Sequence, residues 1–192
     1  MCLTAVAHEQ TPLSDTAYAK EGNAKSVVLL HINWGRYWGC GPVENAQLQL
    51  LAFRRLVDGV PQENEWQLEP KSKLLAKPSF KKYAFLIEPG EYALSAVRLK
   101  IAASVRDVRV ANVGTADLIQ DGKPIGGSFI VGAGEIVYIG HFGVDCTGSP
   151  TLRRFYIDGR QEFDGYVTGF HAAFPSTVNV PVTFRLFETE HL

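Results

Sequence analysis

The sequence predicts a mainly β protein: an antiparallel β-sandwich built from hairpins, with one short C-terminal helix at about 161–174. Three observations predict it. Apolar residues alternate with outward-facing ones in a series of short runs, the pattern of strands with one buried face. Turn signals of the Asp-Gly, Pro-Gly and Gly-Glu kind separate these runs roughly every ten residues, as in sandwiches and barrels. The runs do not alternate with helical segments, so a parallel α/β sheet is not expected.

Composition agrees. The 192 residues are 46% hydrophobic and 20% charged, which excludes disorder over most of the chain. Lys and Arg total 19 against 20 Asp and Glu, a net charge of -1, so a broad basic surface for nucleic acid is not expected. A chain of this length buries roughly 70% of its unfolded surface and needs neither a metal nor a disulfide to build a core. No cofactor is expected. The length suits a single domain, placed at 25–192, after a polar and flexible tail or export-signal remnant at 1–24.

In chain order, residues 26–34 put Val28, Leu30, Ile32 and Trp34 on one face and Val27, Leu29, His31 and Asn33 on the other, a strand. Residues 35–42 read as a glycine-framed loop. Residues 45–57 alternate and close on Asp58-Gly59, which favours a strand, while Pro42 and Glu44 also suit a helix start. Trp66 and Leu68 mark a short edge-like piece, and 70–81 reads as loop. Residues 83–87 form a strand ended by Glu88-Pro89-Gly90. Residues 91–102 turn Val97, Leu99 and Ile101 inward and Arg98 and Lys100 outward. Further strands are expected at 105–113, 128–131, 135–142, 152–157 and 180–187, the last with Val182, Phe184 and Leu186 inward. Between them Phe163, Tyr166, Val167, Phe170 and Phe174 recur at helical spacing, and Pro175 ends the helix.

Two stretches share a turn grammar. Leu56-Val57-Asp58-Gly59-Val60-Pro61 leads to Phe85-Leu86-Ile87-Glu88-Pro89-Gly90-Glu91-Tyr92, and Leu118-Ile119-Gln120-Asp121-Gly122-Lys123-Pro124 leads to Phe129-Ile130-Val131-Gly132-Ala133-Gly134-Glu135-Ile136. Each reads as strand, Asp-Gly-x-Pro turn, strand, Gly-Glu turn and strand, the Asp-Gly step supplying the positive φ of a tight hairpin. Asp121-Gly122-Lys123-Pro124-Ile125-Gly126 with Ala133-Gly134-Glu135-Ile136-Val137-Tyr138-Ile139-Gly140, and the companion Pro89-Gly90-Glu91-Tyr92, resemble the hairpin signatures of bacterial envelope and lipoprotein-type β-sandwich proteins related to PEGA domains, over about 83–145. The resemblance implies a β-sandwich, frequently in exported proteins, and transfers no catalytic residue.

Three cysteines occur, Cys2, Cys40 and Cys146, none in a C-x-x-C pair, so zinc-ribbon and thioredoxin-type readings fail. Cys40 and Cys146 both lie in glycine-rich turns. A bond between them closes a loop of over a hundred residues, worth on the order of 4–5 kcal/mol in the chain-entropy account, and requires an oxidising compartment; two reduced thiols are the alternative. Cys2 before a polar tail has the form of a lipoprotein start, and Ala5-Val6-Ala7 that of a signal-peptidase site, without a basic n-region or apolar h-region. A lipid anchor on Cys2 and a place in the periplasm or cell envelope are therefore expected, with the cytoplasm as alternative. No apolar run approaches membrane-spanning length.

Chemistry-bearing patterns are sparse. His8 and His191 lie near the ends of the sequence. His31 and His141 sit on different strands; if those strands pair, His31, His141 and Asp145 meet, and Cys146 beside them completes a hydrolase-type or metal-binding arrangement. Hydrogen-bonded histidines at a sheet margin are the plainer reading. Neither a G-x-S-x-G elbow nor a phosphate loop is present, since Gly122-Lys123-Pro124 runs in the wrong order. Trp34, Arg36, Tyr37 and Trp38 are the ligand-binding candidates, flat rings suited to stacking on a sugar, against the plainer reading of an aromatic plug. Arg153 and Arg154 with Tyr156 are a lesser candidate for holding an anion. The expected function is thus a non-catalytic, exported interaction or structural module with a protein or glycan partner in the envelope. Carbohydrate-like ligand binding is the first alternative and the His31/His141/Asp145/Cys146 site the second.

Overall fold

Strand β2 (Ser26–Asn33) is buried along its whole length, and that decides the layering. A strand can hide both faces only with something on each side. Val28, Leu30 and Ile32 face a second sheet, while Val27 and Leu29 face helices. The structure, a computed structural model, describes residues 11–70, 79–157, 159–185 and 187. Its remaining elements are β1 (Thr11–Pro12), α1 (Asp15–Glu21), β3 (Arg36–Cys40), β4 (Val43–Val57), β5 (Val60–Leu68), β6 (Phe80–Ile87), β7 (Gly90–Ala102), β8 (Val108–Val113), α2 (Thr115–Leu118), β9 (Ser128–Val131), β10 (Ile136–Asp145), β11 (Thr151–Phe155), α3 (Arg160–Ala173), a 3₁₀ turn (Pro175–Thr177) and β12 (Val182–Phe184).

One sheet runs β1-β6-β2-β10, with β12 and β11 paired to successive stretches of the far edge of β10. The other runs β4-β7 at its centre, with β3 and β5 flanking β4 and with β8 and β9 flanking β7. The mainly β sandwich read from the alternation is therefore present, and the ambiguous 45–57 segment is strand β4. The core between the sheets is strongly aromatic: Phe53, Trp66, Phe129, Phe142 and Phe187 pack ring against ring.

Several sequence expectations need correction. Most strand pairs are antiparallel, but β10 runs parallel to both β2 and β12. These strands are joined by long excursions, so no tight hairpin dictates their direction. The segment read as a tail contributes β1 and α1 over its described part. Ser14 caps α1 by accepting from the Ala17 N–H, Leu13 is buried, and Asp15 accepts hydrogen bonds from the Ser176 backbone and hydroxyl. The loop read at 35–42 is mostly β3, in a hairpin with β4. The last strand is only β12, with Phe184 exposed and Phe187 buried; the Leu186 side chain and residues 71–78 of the expected loop lie outside the described residues. α3 fulfils its stripe, with Phe170 buried and Phe163, Tyr166 and Phe174 against the outer face of the β2 sheet. A single helix was expected there; α1 and the short α2 are additional.

The two Asp-Gly turns meet in space. Asp58 and Asp121 have φ of 51° and 50°, Gly59 and Gly122 both 76°, the left-handed pair of a tight hairpin turn. A Cβ on Gly59 would stand 3.3 Å from the Gly122 carbonyl oxygen, and one on Gly122 3.2 Å from that of Gly59. The first turn joins β4 to β5. The second follows α2 rather than a strand and is closed by a bridge between Gln120 and Lys123. No described helix is long and apolar enough to cross a membrane.

Gly122→Val is expected to lower stability by about 1–3 kcal/mol, because it combines positive φ with a carbonyl in the way. Gly165→Ala, on an α3 position with open space around it, is expected to raise stability by about 0.5–1 kcal/mol. Urea midpoints of the two variants against wild type check both signs.

Candidate functional site

The aromatic candidates are separated by the pleat of the sheet. Trp34 continues the inward face of β2 and is 1% exposed. Its indole N–H donates to Tyr83 Oη at 2.8 Å, and its carbonyl accepts from Gln47 Nε2 at 2.8 Å. Trp34 is therefore a core residue and is unavailable for stacking on a ligand. Tyr37 is half-buried, accepts from Asn33 Nδ2 at 2.7 Å, and has its phenol pushed up in pKa by burial. β3 alternation turns Arg36 and Trp38 the other way. Trp38 is 62% exposed with the Arg36 guanidinium 5.4 Å from its ring centre. What was expected as an aromatic patch is one exposed ring and one cation.

A disulfide joins Cys40, at the end of β3, to Cys146, just past β10, with 4.2 Å between the Cα atoms. It ties one sheet to the other, and Cys40 is fully buried. Close by, Gly41 has φ of 56° and packs directly on the Gly148 carbonyl oxygen, an approach that admits no side chain.

His31 and His141 do meet. Parallel pairing of β2 and β10 puts them in register, and their rings stack at 4.2 Å with planes 13° apart. The other proposed partners do not join them. Asp145 accepts from the Thr147 backbone and hydroxyl and pairs with Arg153 at 3.1 Å, interactions that hold its carboxyl below the usual range. Cys146 has its sulfur in the disulfide and offers no thiolate nucleophile. The histidines are roofed by Tyr166 of α3, with Phe80 against His141 and Lys82 facing the same cluster. Burial, followed by the His141 and Lys82 charges, pushes His31 down to about 3; burial and Lys82 push His141 down to about 4. Both Nε2 atoms are buried without a hydrogen-bond partner. Imidazole lone pairs lie in the ring plane, so stacked rings keep theirs in two nearly parallel planes and not aimed at one ion. No group of three or more His, Cys, Asp or Glu able to hold a metal occurs among the described residues.

A feature that the sequence reading did not assemble lies where both sheets end. Between edge strands β8 and β11 opens a cleft of about 580 Å³, walled by Val97, Leu99, Val113, Leu118, Ile125 and Leu152. These residues come from separate segments; the alternation marks Val97 and Leu99 as inward, and Leu118 reads as strand before the Asp-Gly turn, but no local pattern brings them together. Arg154 lines the cleft. Its Nε donates to Tyr156 Oη at 2.7 Å, its Nη2 to the Phe187 carbonyl at 2.9 Å, and its guanidinium lies 4.4 Å from the Phe187 ring centre.

The fold defines the chain as a two-sheet β-sandwich with α1 and α3 on one outer face. No family model, no curated protein and no solved structure matches it. Cys2, His8 and His191 lie outside the described residues.

The histidine pair makes stability pH-dependent. In the unfolded chain each imidazole titrates near 6.5; in the fold they do so at about 3 and 4. Below 6.5 the unfolded state takes up protons that the folded state refuses, so stability is complete above 6.5 and is lost as pH falls toward 4 for His141 and toward 3 for His31. The loss is up to about 1.4 kcal/mol per pH unit for each histidine. Denaturant midpoints at pH 7 and 5 check this: wild type is expected to weaken, and His31→Phe with His141→Phe to flatten the profile.

Proposed function

We propose that the chain is a non-catalytic, exported β-sandwich that acts as an interaction or structural module of the bacterial cell envelope, in the periplasm or anchored through Cys2. One observation supports this reading above the rest: the Cys40–Cys146 disulfide between the two sheets. Buried disulfides of this kind persist in oxidising compartments and are rare where glutathione and thioredoxin keep thiols reduced. The same bond takes the sulfur that a cysteine-hydrolase reading requires. The stacked, neutral histidines fit a structural role under α3 better than acid–base work, since neither ring nitrogen Nε2 faces a proton donor or acceptor.

The experiment is thiol accounting on protein isolated from its native host. Three cysteines with two bonded leave one to titrate under denaturing, non-reducing conditions, or none when Cys2 is acylated. Intact mass distinguishes those two states. Three free thiols in protein recovered from the cytoplasm overturn the proposal. Reduction, or Cys40→Ser with Cys146→Ser, is expected to cost about 2–5 kcal/mol of stability, read as a lower denaturant midpoint.

A second reading, glycan binding, is favoured by the exposed Trp38 beside Arg36. Trp38→Ala is then expected to abolish retardation in polysaccharide-containing affinity gels without moving the melting temperature. Equal retardation of the variant eliminates this role for the ring.

A further inference from the structure

The cleft between β8 and β11 combines an aliphatic interior with a cation that lacks a matching anion. Val97 and Leu99 form its buried floor, and Val113 at its rim is 38% exposed. Leu118 and Ile125 from the α2 region close one wall, and Leu152 of β11 the other. The volume of about 580 Å³ lies within the roughly 300–1,000 Å³ of pockets that enclose small organic ligands.

Arg154 supplies the polarity. Alternation along β11 puts it on the same inward face as Leu152, so its guanidinium borders the apolar space. Its recorded partners, Tyr156 Oη, the Phe187 carbonyl and the Phe187 ring, are all uncharged, and it has no carboxylate partner among the described residues. Neighbouring Arg153 differs: it is paired with Asp145 at 3.1 Å. A half-buried guanidinium held in place by neutral acceptors keeps its remaining N–H groups for an anion, and arginine suits a planar carboxylate best. Apolar walls demand that the rest of such a ligand be aliphatic.

We propose that this cleft binds a straight-chain fatty carboxylate, with the alkyl chain between the sheets and the carboxylate on Arg154. The site is independent of the export reading, because its geometry does not involve the disulfide, Cys2 or the compartment.

Calorimetric titration of the full chain with octanoate, decanoate and decanol tests the proposal. Affinity is expected to rise about fourfold for each added methylene that is buried. Decanoate is expected to bind about tenfold or more tightly than decanol, the ordinary worth of a charge-assisted hydrogen bond. Arg154→Gln is expected to remove the decanoate advantage and leave decanol binding unchanged, provided the variant keeps its wild-type melting profile. Should that variant lose its fold, the wild-type comparison of decanoate with decanol decides the headgroup role alone. Val113→Asp, at the exposed rim, is expected to weaken all three ligands. Equal binding of decanoate and decanol, absence of a chain-length trend, or decanoate binding undisturbed by Val113→Asp each overturns the proposal. Loss of the disulfide in vivo, by contrast, overturns only the export reading.

Discussion

The parallel seam between β2 and β10 is the constraint from which the rest of the molecule follows. These two strands form the middle of one sheet, and their apolar residues point to both faces, so neither face tolerates water. The face toward the second sheet is closed by the aromatic core. The opposite face is closed by α1 and α3, whose own packing faces have no other place to be buried. The same seam brings His31 beside His141, and it carries the C-terminal end of β10 to the point where Cys146 meets Cys40.

What the seam does not complete is the far side of the sandwich. Among the described residues, the sheet continues beyond β10 as the short strands β11 and β12, and beyond β7 as β8 and β9. Between these short edge strands lies the cleft whose rim exposes Val113 and which Arg154 borders. The histidine pair is the opposite case. It too is built from polar groups in an apolar place, but its rings stack and remain neutral with their Nε2 atoms unbonded, so it functions as packing that carries a pH cost.

Much of the fold was legible in local pattern because strand alternation is a local property. Val97, Leu99 and Ile101 announce the buried face of β7, and Phe163, Tyr166 and Phe170 that of α3. The alternation even placed Trp34 with Val28, Leu30 and Ile32, which excludes it from a surface site once that face is known to be the core. Reading Trp34, Tyr37 and Trp38 as one patch failed because proximity in sequence is not proximity on a pleated sheet. The tail was misread because α1 is stabilised by contacts with the distant Ser176 and with the sheet, which its own seven residues do not encode. The cleft was invisible for the same reason: its walls are drawn from strands and a turn region scattered along the chain.

The sequence by itself determined the strand pattern, the tight turns and the one amphipathic C-terminal helix, since these depend on side-chain periodicity and on backbone preferences within a few residues. It also limited the chemistry, through a near-neutral charge and the lack of nucleophile and metal-ligand spacings. Only the tertiary structure decided that β2 and β10 run parallel, that Cys40 and Cys146 lie within bonding reach, that His31 stacks on His141 and that Arg154 borders an apolar cleft. Each of these joins residues far apart in the chain. Their meeting is set by how two sheets and two helices share one finite amount of apolar surface, a sum over the whole molecule that no local segment contains.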